Sequence, residues 1–386
     1  MANSSKQQKT AGKALSTAPH DPGQIVLVLQ GGGALGAYQV GVYQALHEAG
    51  IEPQWVIGTS IGAINGAIIA GNPAAQRMEK LTRFWHLVQQ QDVGKFGPWW
   101  SALSHAAANL KIYTSGVEGF FTPNLPAAGD VHAVLGVERA AFYTTEPLRG
   151  TLEDLIDFDY INAKHGRLTL GAVNVTSGDM HYFDNRGEPL RLEHVMASGA
   201  LPPAFPAIRV DGEAYWDGGI YSNTPIEVVL DDKPRRNSLI FSANVWHSQG
   251  PEPQTIWQVM GRQKDIQYAS RDASHVARQQ QIHHMRHVIR ELGKYLPAAQ
   301  RDDADVRDLL SYGCATIMHV VPLLAPRLAC EDPSKDIDFS AEGIQARWQA
   351  GYADARWQLE QAPWQRPVDT MDGVIIHEEA HHEHAI

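Results

Sequence analysis

Two glycine-bracketed turns near the start of the chain have residue types that could do chemistry together. Gly31-Gly32-Gly33-Ala34-Leu35-Gly36 is followed by Gly58-Thr59-Ser60-Ile61-Gly62, with 29 residues from Gly31 to Ser60. G-x-S-x-G is the pattern of a nucleophile elbow, a sharp strand-to-helix turn that lifts a serine hydroxyl clear of the backbone. G-x-G-x-x-G after a strand leaves bare N–H groups at a helix start, where they can face a negative oxygen. A nucleophile and an anion hole are the two halves of an acyl-transfer site. Each pattern also has a plainer use. Ser60 equally suits an N-cap on the following helix, and the glycine run is also the dinucleotide fingerprint. The latter needs an acid at the end of the second strand. Here that strand ends in Gly58-Thr59-Ser60, and Glu52 lies before it.

A serine hydroxyl needs a base. An α/β-hydrolase would supply Asp and His in that chain order, with its oxyanion glycines far upstream of the elbow. Here both turns belong to one βαβ unit, which does not suit that fold. Asp217-Gly218-Gly219 offers a carboxylate in a glycine turn leaving a strand. Taken alone it is also an ordinary Asp-Gly hairpin turn.

These turns must be held by strands and helices. Ile25 to Leu29 is an unbroken apolar run of the kind buried in parallel sheets. Ala37 to Ala49 reads as a helix capped by Gly50, Trp55-Val56-Ile57 as a strand, and Ile61 to Ala70 as a helix. That order predicts a right-handed βαβ unit. Gln76 to Gln91 reads as a further helix, Gly94 to Asp130 as a long loop, and Leu168–Val173 and His181–Phe183 as strands. Ala197 to Pro206 forms a small-residue and proline loop. Glu213–Trp216 and Leu239–Val245 are strands, Thr255–Leu296 one long helix, and residues 341–360 a last helix.

The order G-x-G-x-x-G, G-x-S-x-G, D-G-G resembles the patatin-like phospholipases. Val28-Leu29-Gln30, Leu201-Pro202-Pro203-Ala204-Phe205-Pro206 and Asn223-Thr224-Pro225 extend the likeness over roughly residues 25–230, and Asp338-Phe339-Ser340 through Tyr352 resembles an extension found on one bacterial subgroup. The resemblance implies a three-layer α/β fold with a mostly parallel central sheet flanked by helices and a helical C-terminal extension. It implies a lipid acyl hydrolase with Ser60 as nucleophile, Asp217 as base, and an oxyanion hole among Gly31, Gly32, Gly33, Ala34, Leu35 and Gly36. Gly58, Thr59, Ile61 and Gly62 complete the elbow, and Gly218 and Gly219 the acid turn. Many members have Arg or Lys where this chain has Leu35, so altered substrate preference is expected. The expected organisation is a flexible tail over 1–23, a catalytic domain over 24–250, a mainly helical extension packed on it over 251–372 and a flexible His/Glu tail over 373–386.

Composition narrows the function classes. A net charge of −11 argues against a general nucleic-acid binder. Two cysteines, Cys314 and Cys330, give neither a disulfide framework nor a four-ligand metal site. With no signal peptide and no run long enough to cross a membrane, a soluble, cytoplasmic protein is expected. His377-Glu378-Glu379-Ala380-His381 matches the zincin pattern H-E-x-x-H, and His382 and His384 add donors. The match leaves no room for a packed helix beyond it, so neither a metal nor another cofactor is expected.

Trp99-Trp100 and Phe120-Phe121 suit an interfacial anchor or a lid over the core. Arg262 to Lys294 carries seven Lys/Arg against three Asp/Glu, a face suited to peripheral contact with anionic membrane or simply to water. The expected partner is a lipid or acyl-ester substrate. The alternatives are a hydrolase of soluble acyl esters or thioesters and a catalytically silent lipid-binding protein.

Overall fold

A computed structural model describes residues 23–90, 114–130, 132–269, 272–328, 331, 333–369 and 371–378. Most of the expected N-terminal tail, Trp99-Trp100, Cys330 and Glu379 to Ile386 lie outside the described residues.

The chain begins with β1 (Gln24–Leu29), α1 (Ala37–Glu48), β2 (Trp55–Thr59), α2 (Ile61–Ala70) and α3 (Ala74–Val88). β1 and β2 pair in parallel, as the βαβ reading required. The apolar run of β1 is explained by two separate cores. Leu27 and Leu29 point into one, with Val56, Leu239 and Phe241; Val26 and Val28 point into the other, with Trp55, Ile57 and Ile240. Alternating side chains thus meet a core on each face of the sheet, and the fold has three layers. α1 ends at Glu48, and Gly50 follows in the left-handed conformation (φ 73°), donating its N–H to His47 O at 3.0 Å.

The remaining strands of the main sheet are β3 (Arg167–Asn174), β4 (Met180–Asp184), β5 (Ile208–Val210), β6 (Glu213–Asp217), β7 (Ser238–Asn244), β8 (Met318–Leu324) and β9 (Val374–Ile376). The path through the sheet is β9-β8-β7-β1-β2-β3-β6-β5, with β4 paired to β3. From β9 to β3 all pairings are parallel; β4, β5 and β6 are antiparallel. Of the helices between β2 and β5, α4 spans Glu146–Leu155, and α5 (Leu192–Ser198) leads into the loop before β5.

Three expectations are corrected. The long helix Thr255–Leu296 is two helices, α6 (Ile256–Ala269) and α7 (Asp272–Tyr295); one apolar period spans both and does not mark the break. The stretch after residue 250 holds not only helices: β8 lies in the sheet between β7 and β9. Its Pro322 argues against a central strand by sequence rule, yet it sits opposite Ser242. The tail expected from 373 begins instead with β9, whose Val-Ile-Ile run pairs with Met318–Val320. Three residues are too few to show a period.

α8 (Ala341–Gln361) packs on α1. The helices approach closely because Gly41 and Gly351 face each other's backbone. A Cβ on Gly41 would stand 1.9 Å from Trp348 O, and one on Gly351 2.0 Å from Tyr38 O. Tyr38 Oη donates to Asp354 at 2.8 Å and Trp348 Nε1 to Gln44 at 2.7 Å. No helix among the described residues is long and apolar enough to cross a membrane.

Candidate active site

β2 and β6 meet end to end along one edge of β3. Thr59 lies opposite Gly171, and Asp217 lies opposite Ala172. β4 holds the other edge over the same residues, with Tyr182 opposite Gly171 and His181 opposite Ala172. The turn leaving β2 therefore arrives beside the last residue of β6. Register alone brings Ser60 to Asp217.

Ser60 has φ 56° and ψ −125°, a conformation that costs a non-glycine residue about 1–3 kcal/mol. Its surroundings hold it there. Its N–H donates to both Ser198 O and Ser198 Oγ at 3.1 Å, and Ser198 Oγ donates to Gly171 O at 2.6 Å. A Cβ on Gly62 would stand 2.2 Å from Leu29 O, so only glycine lets α2 begin this close to β1. Ser60 is half-buried at the base of the pocket.

The glycine turn is pinned by its carbonyl. Gly31 O accepts from Asn223 Nδ2 at 3.0 Å and from Trp246 Nε1 at 2.7 Å. Three of the six N–H groups considered for the anion hole are occupied: Gly31 donates to Asn223 O and Leu35 to Gly32 O, each at 3.1 Å, and Gly36 closes the 3₁₀ turn Gly33–Gly36. Those of Gly32, Gly33 and Ala34 have no acceptor among the described residues. Gly33 has φ 56°, and a Cβ on it would stand 2.1 Å from Asp336 O. Gly36 packs on Ile61. The Leu35 side chain is buried in a separate small gap beside Tyr38, Val245 and Arg347.

Asp217 is buried, and its Oδ1 accepts from Gly219 N–H at 2.7 Å. Burial pushes its carboxyl up to about 7, against the opposing pull of hydrogen bonds from Ser60 and Gly219. Oδ2 nonetheless lacks a well-aligned partner; catalytic hydrogen bonds are often long before substrate binds. The hairpin that an Asp-Gly pair commonly makes is elsewhere, at Asp211-Gly212 between β5 and β6 (φ 49° and 90°). Asp217-Gly218-Gly219 leads instead into a 3₁₀ turn over Gly218–Ile220.

A cavity of about 280 Å³ opens above these groups. One side is apolar, with Ile61, Ile64, Leu201, Phe205 and the Phe120-Phe121 pair. Both phenylalanines are buried, with Phe121 and Phe205 ring centroids 5.2 Å apart, so this pair covers the core. The other side comes from the C-terminal part of the chain: Lys264, Tyr268, Asp336, Ile337 and Phe339. Lys264 Nζ donates to both Asp336 oxygens, at 2.8 and 2.9 Å. Burial, with Asp217 and Asp336 nearby, pushes Tyr268 up to about 12.

Sequence reasoning passed over Ser198, Asn223 and Trp246 as site residues. Asn223 lies in the Asn-Thr-Pro tract that follows the acid turn, which was its available signal. Ser198 and Trp246 act through hydrogen bonds to residues far away in the chain and have none.

The other candidates lie apart from the pocket. Glu52, the acid nearest the dinucleotide spacing, binds Arg77 at 2.5 Å and Tyr43 Oη at 2.9 Å. His377 Nε2 lies 2.9 Å from His319 Nδ1 beside β9, and burial pushes it down to about 4; Glu379, His381, His382 and His384 are outside the described residues. Among the described residues, Glu188, His194 and Asp211 bring three donor atoms within 4.8 Å of one another. Arg191 already pairs with Asp211 at 2.7 Å, and His194 Nδ1 accepts from Arg191 N–H at 2.8 Å.

Comparison with known proteins follows the same division of the chain. Residues 27–230 match a family model described as patatin-like phospholipase, and residues 266–371 match one described as patatin phospholipase. The lysophospholipase NTE1 of Eremothecium gossypii is 29% identical over 227 residues, covering 57% of this chain and 12% of its own. The human patatin-like phospholipase domain-containing protein 6 is 48% identical over 61 residues, covering 16% of this chain and 4% of its own. The chain thus spans about an eighth or less of the length of these relatives. Among solved structures, VipD from Legionella pneumophila covers 98% of this chain and 77% of its own, at 15% identity and a TM-score of 0.41.

Proposed function

Because the chain belongs to the patatin-like phospholipase family, we propose that it is a serine lipid acyl hydrolase working through a Ser60–Asp217 dyad and an acyl-enzyme. One observation carries this reading. A strained serine, in the turn one residue past the Thr59 rung of β3, lies by a buried carboxylate on the next rung, beside three N–H groups with no acceptor among the described residues. The apolar wall of the cavity favours an acyl chain as the group bound there.

Ser60 Oγ attacks the ester carbonyl and passes its proton to Asp217. The carbonyl oxygen becomes an oxyanion, held by the N–H groups of Gly32, Gly33 and Ala34. Collapse breaks the ester bond, and Asp217 returns the proton to the departing alcohol. Water then attacks the acyl-Ser60 ester with Asp217 as base, and a fatty acid leaves. A carboxyl with a pKa of about 7 suits both halves of this cycle, since it gives and takes a proton near neutrality. We read residues 24–250 as the catalytic domain and 251–372 as an extension that also adds β8 to its sheet, in a cytoplasmic protein that meets membranes at their surface.

Fatty-acid release from phospholipid vesicles and from a soluble short-chain ester, by wild type and Ser60→Ala, tests the reading. Ser60-dependent release with a preference for vesicles supports a phospholipase. A preference for the monomeric ester supports a soluble esterase. Turnover that survives in Ser60→Ala would end the serine-hydrolase reading.

A further inference from the structure

Helix α6 lies in two settings. Its C-terminal half reaches the pocket: Lys264 and Tyr268 line it, and Asp265 and Ala269 are buried. Its N-terminal half stands out from the body. Residues 251–260 are exposed throughout, yet they carry Ile256 (83% exposed), Trp257 (53%), Val259 (50%) and Met260 (48%). Among the described residues nothing covers these side chains. Four large apolar groups on little more than one turn of helix are far from the scattered single exposures of an ordinary surface.

Helical geometry divides them into two stripes. Ile256, Val259 and Met260 share one face at i, i+3 and i+4, continued by exposed Ile266. Trp257 instead shares the face of Lys264 and Tyr268, at i, i+7 and i+11. The second stripe therefore starts in solvent and ends inside the cavity.

Charge at the foot of this segment is positive. A Cβ on Gly250 would stand 2.7 Å from Arg327 Nη2 and 3.5 Å from Arg262 Nη1, so both guanidinium groups gather there. Arg262 donates to His247 O at 3.0 Å and Ser248 O at 2.5 Å, and Arg327 to Gln249 O at 2.5 Å; the carboxylate facing Arg327, Asp265 at 3.9 Å, is paired more closely with Lys335 at 2.8 Å. Within residues 251–260 the sole carboxylate is Glu252. This is a local reversal of the chain's net charge of −11.

We propose that the N-terminal half of α6 is a docking surface for a phospholipid bilayer. Ile256, Val259 and Met260 enter the acyl boundary, Trp257 sits at the headgroup level, and Arg262 and Arg327 meet the phosphates. Apolar groups rimmed by arginines match the layered chemistry of a bilayer better than an apolar protein face. The Trp257–Lys264–Tyr268 stripe then leads from the interface into the pocket, so a lipid enters without crossing water. The proposal rests on the lipid-hydrolase reading and adds to it the face that meets the substrate.

The test uses the full chain with vesicles of phosphatidylcholine and of phosphatidylglycerol. Wild type, Trp257→Ala and the triple variant Ile256→Gln/Val259→Gln/Met260→Gln are compared by vesicle flotation, soluble-ester hydrolysis and sedimentation mass. All four positions are exposed, so folding is expected to survive, and a melting curve checks it. Wild type should float, more strongly with phosphatidylglycerol. The triple variant should lose flotation at least about 10-fold, together with hydrolysis of vesicle lipid, while soluble-ester turnover and mass stay unchanged. Arg327→Gln should remove the preference for phosphatidylglycerol and leave binding to phosphatidylcholine.

Flotation that is unchanged in the triple variant, or absent in wild type, overturns the proposal. So does a wild-type dimer that the triple variant dissociates without any vesicle binding, which would make the face a contact between two copies. Flotation that needs these residues in a chain without Ser60-dependent hydrolysis would uphold the docking surface and count against the catalytic reading alone.

Discussion

On one side of the pocket, Gly31 to Gly33, Ser60 and Asp217 sit in turns held by hydrogen bonds to Asn223, Trp246, Ser198 and Gly219. On the other side, Lys264, Asp336 and the residues behind them are held by ion pairs. Lys264 binds Asp336 at 2.8 Å, buried Lys335 binds Asp265 at 2.8 Å, and buried Arg347 binds Asp338 at 3.2 Å. The first wall is built from short local turns stitched to a sheet. The second is built from α6 and the segment that leads into α8, brought together by charge and by the α1–α8 contact. The two meet where Asp336 O occupies the space that a side chain on Gly33 would need, and where Tyr268 O accepts from Asn223 Nδ2 at 3.3 Å. The contrast assigns chemistry to the first wall, and shape and rigidity to the second.

Substitutions that separate chemistry from stability test this division. The largest effect is expected at the nucleophile and base. Ser60→Ala should abolish turnover, and Asp217→Ala should lower kcat by about 10²–10⁴-fold, with Ser60→Ala keeping its melting temperature. Lys335→Ala is expected to have the opposite signature. It leaves Asp265 buried without its main cation and should cost about 3–5 kcal/mol in urea unfolding. Activity per folded molecule at low urea should nevertheless persist. A Lys335→Ala protein that stays fully stable but loses turnover would break the comparison.

Asp217 belongs to both sides of the ledger through its proton. Its folded-state pKa of about 7 lies above the ordinary 3.8. Its contribution to stability is therefore fully present below about pH 4 and is lost as pH rises through about 7. Above that, the ionised buried group costs up to about 4 kcal/mol. Asp217→Asn should then unfold at higher temperature than wild type at pH 8, with the advantage vanishing near pH 4. Turnover by wild type should rise with pH through an inflection near 7. A rate that is flat across that range would remove Asp217 as the base. The smallest effect concerns the α1–α8 contact: Tyr38→Phe removes the part-buried bond to Asp354 and should cost about 1–2 kcal/mol, read by urea unfolding, without altering the pH profile.

The local turns were legible because each is a short pattern with one mechanical purpose. Glycine at 33 and 62, serine at 60 and aspartate at 217 can be read from neighbouring residues, as can the apolar run of β1 between two cores. What escaped the sequence has a different physical origin. β8 carries a proline that propensity places outside a central strand, and β9 is too short to show a period. α6 and α7 share one apolar rhythm across their break. Ser198 and Trp246 contribute through hydrogen bonds to Ser60 and Gly31, and neither bond leaves a mark on nearby residue types. The second wall of the pocket was unreadable for the same reason, since Asp336 reaches Gly33 only after the whole sheet has formed.

The most direct test of the dyad is covalent labelling with an alkyl fluorophosphonate, located by peptide mass spectrometry, on wild type and Asp217→Ala. The reagent needs an activated serine beside an oxyanion hole and no knowledge of the substrate. The account predicts an adduct on Ser60 in wild type and little or none in Asp217→Ala. A wild type that leaves Ser60 unlabelled while remaining folded, or equal labelling in both proteins, would contradict it.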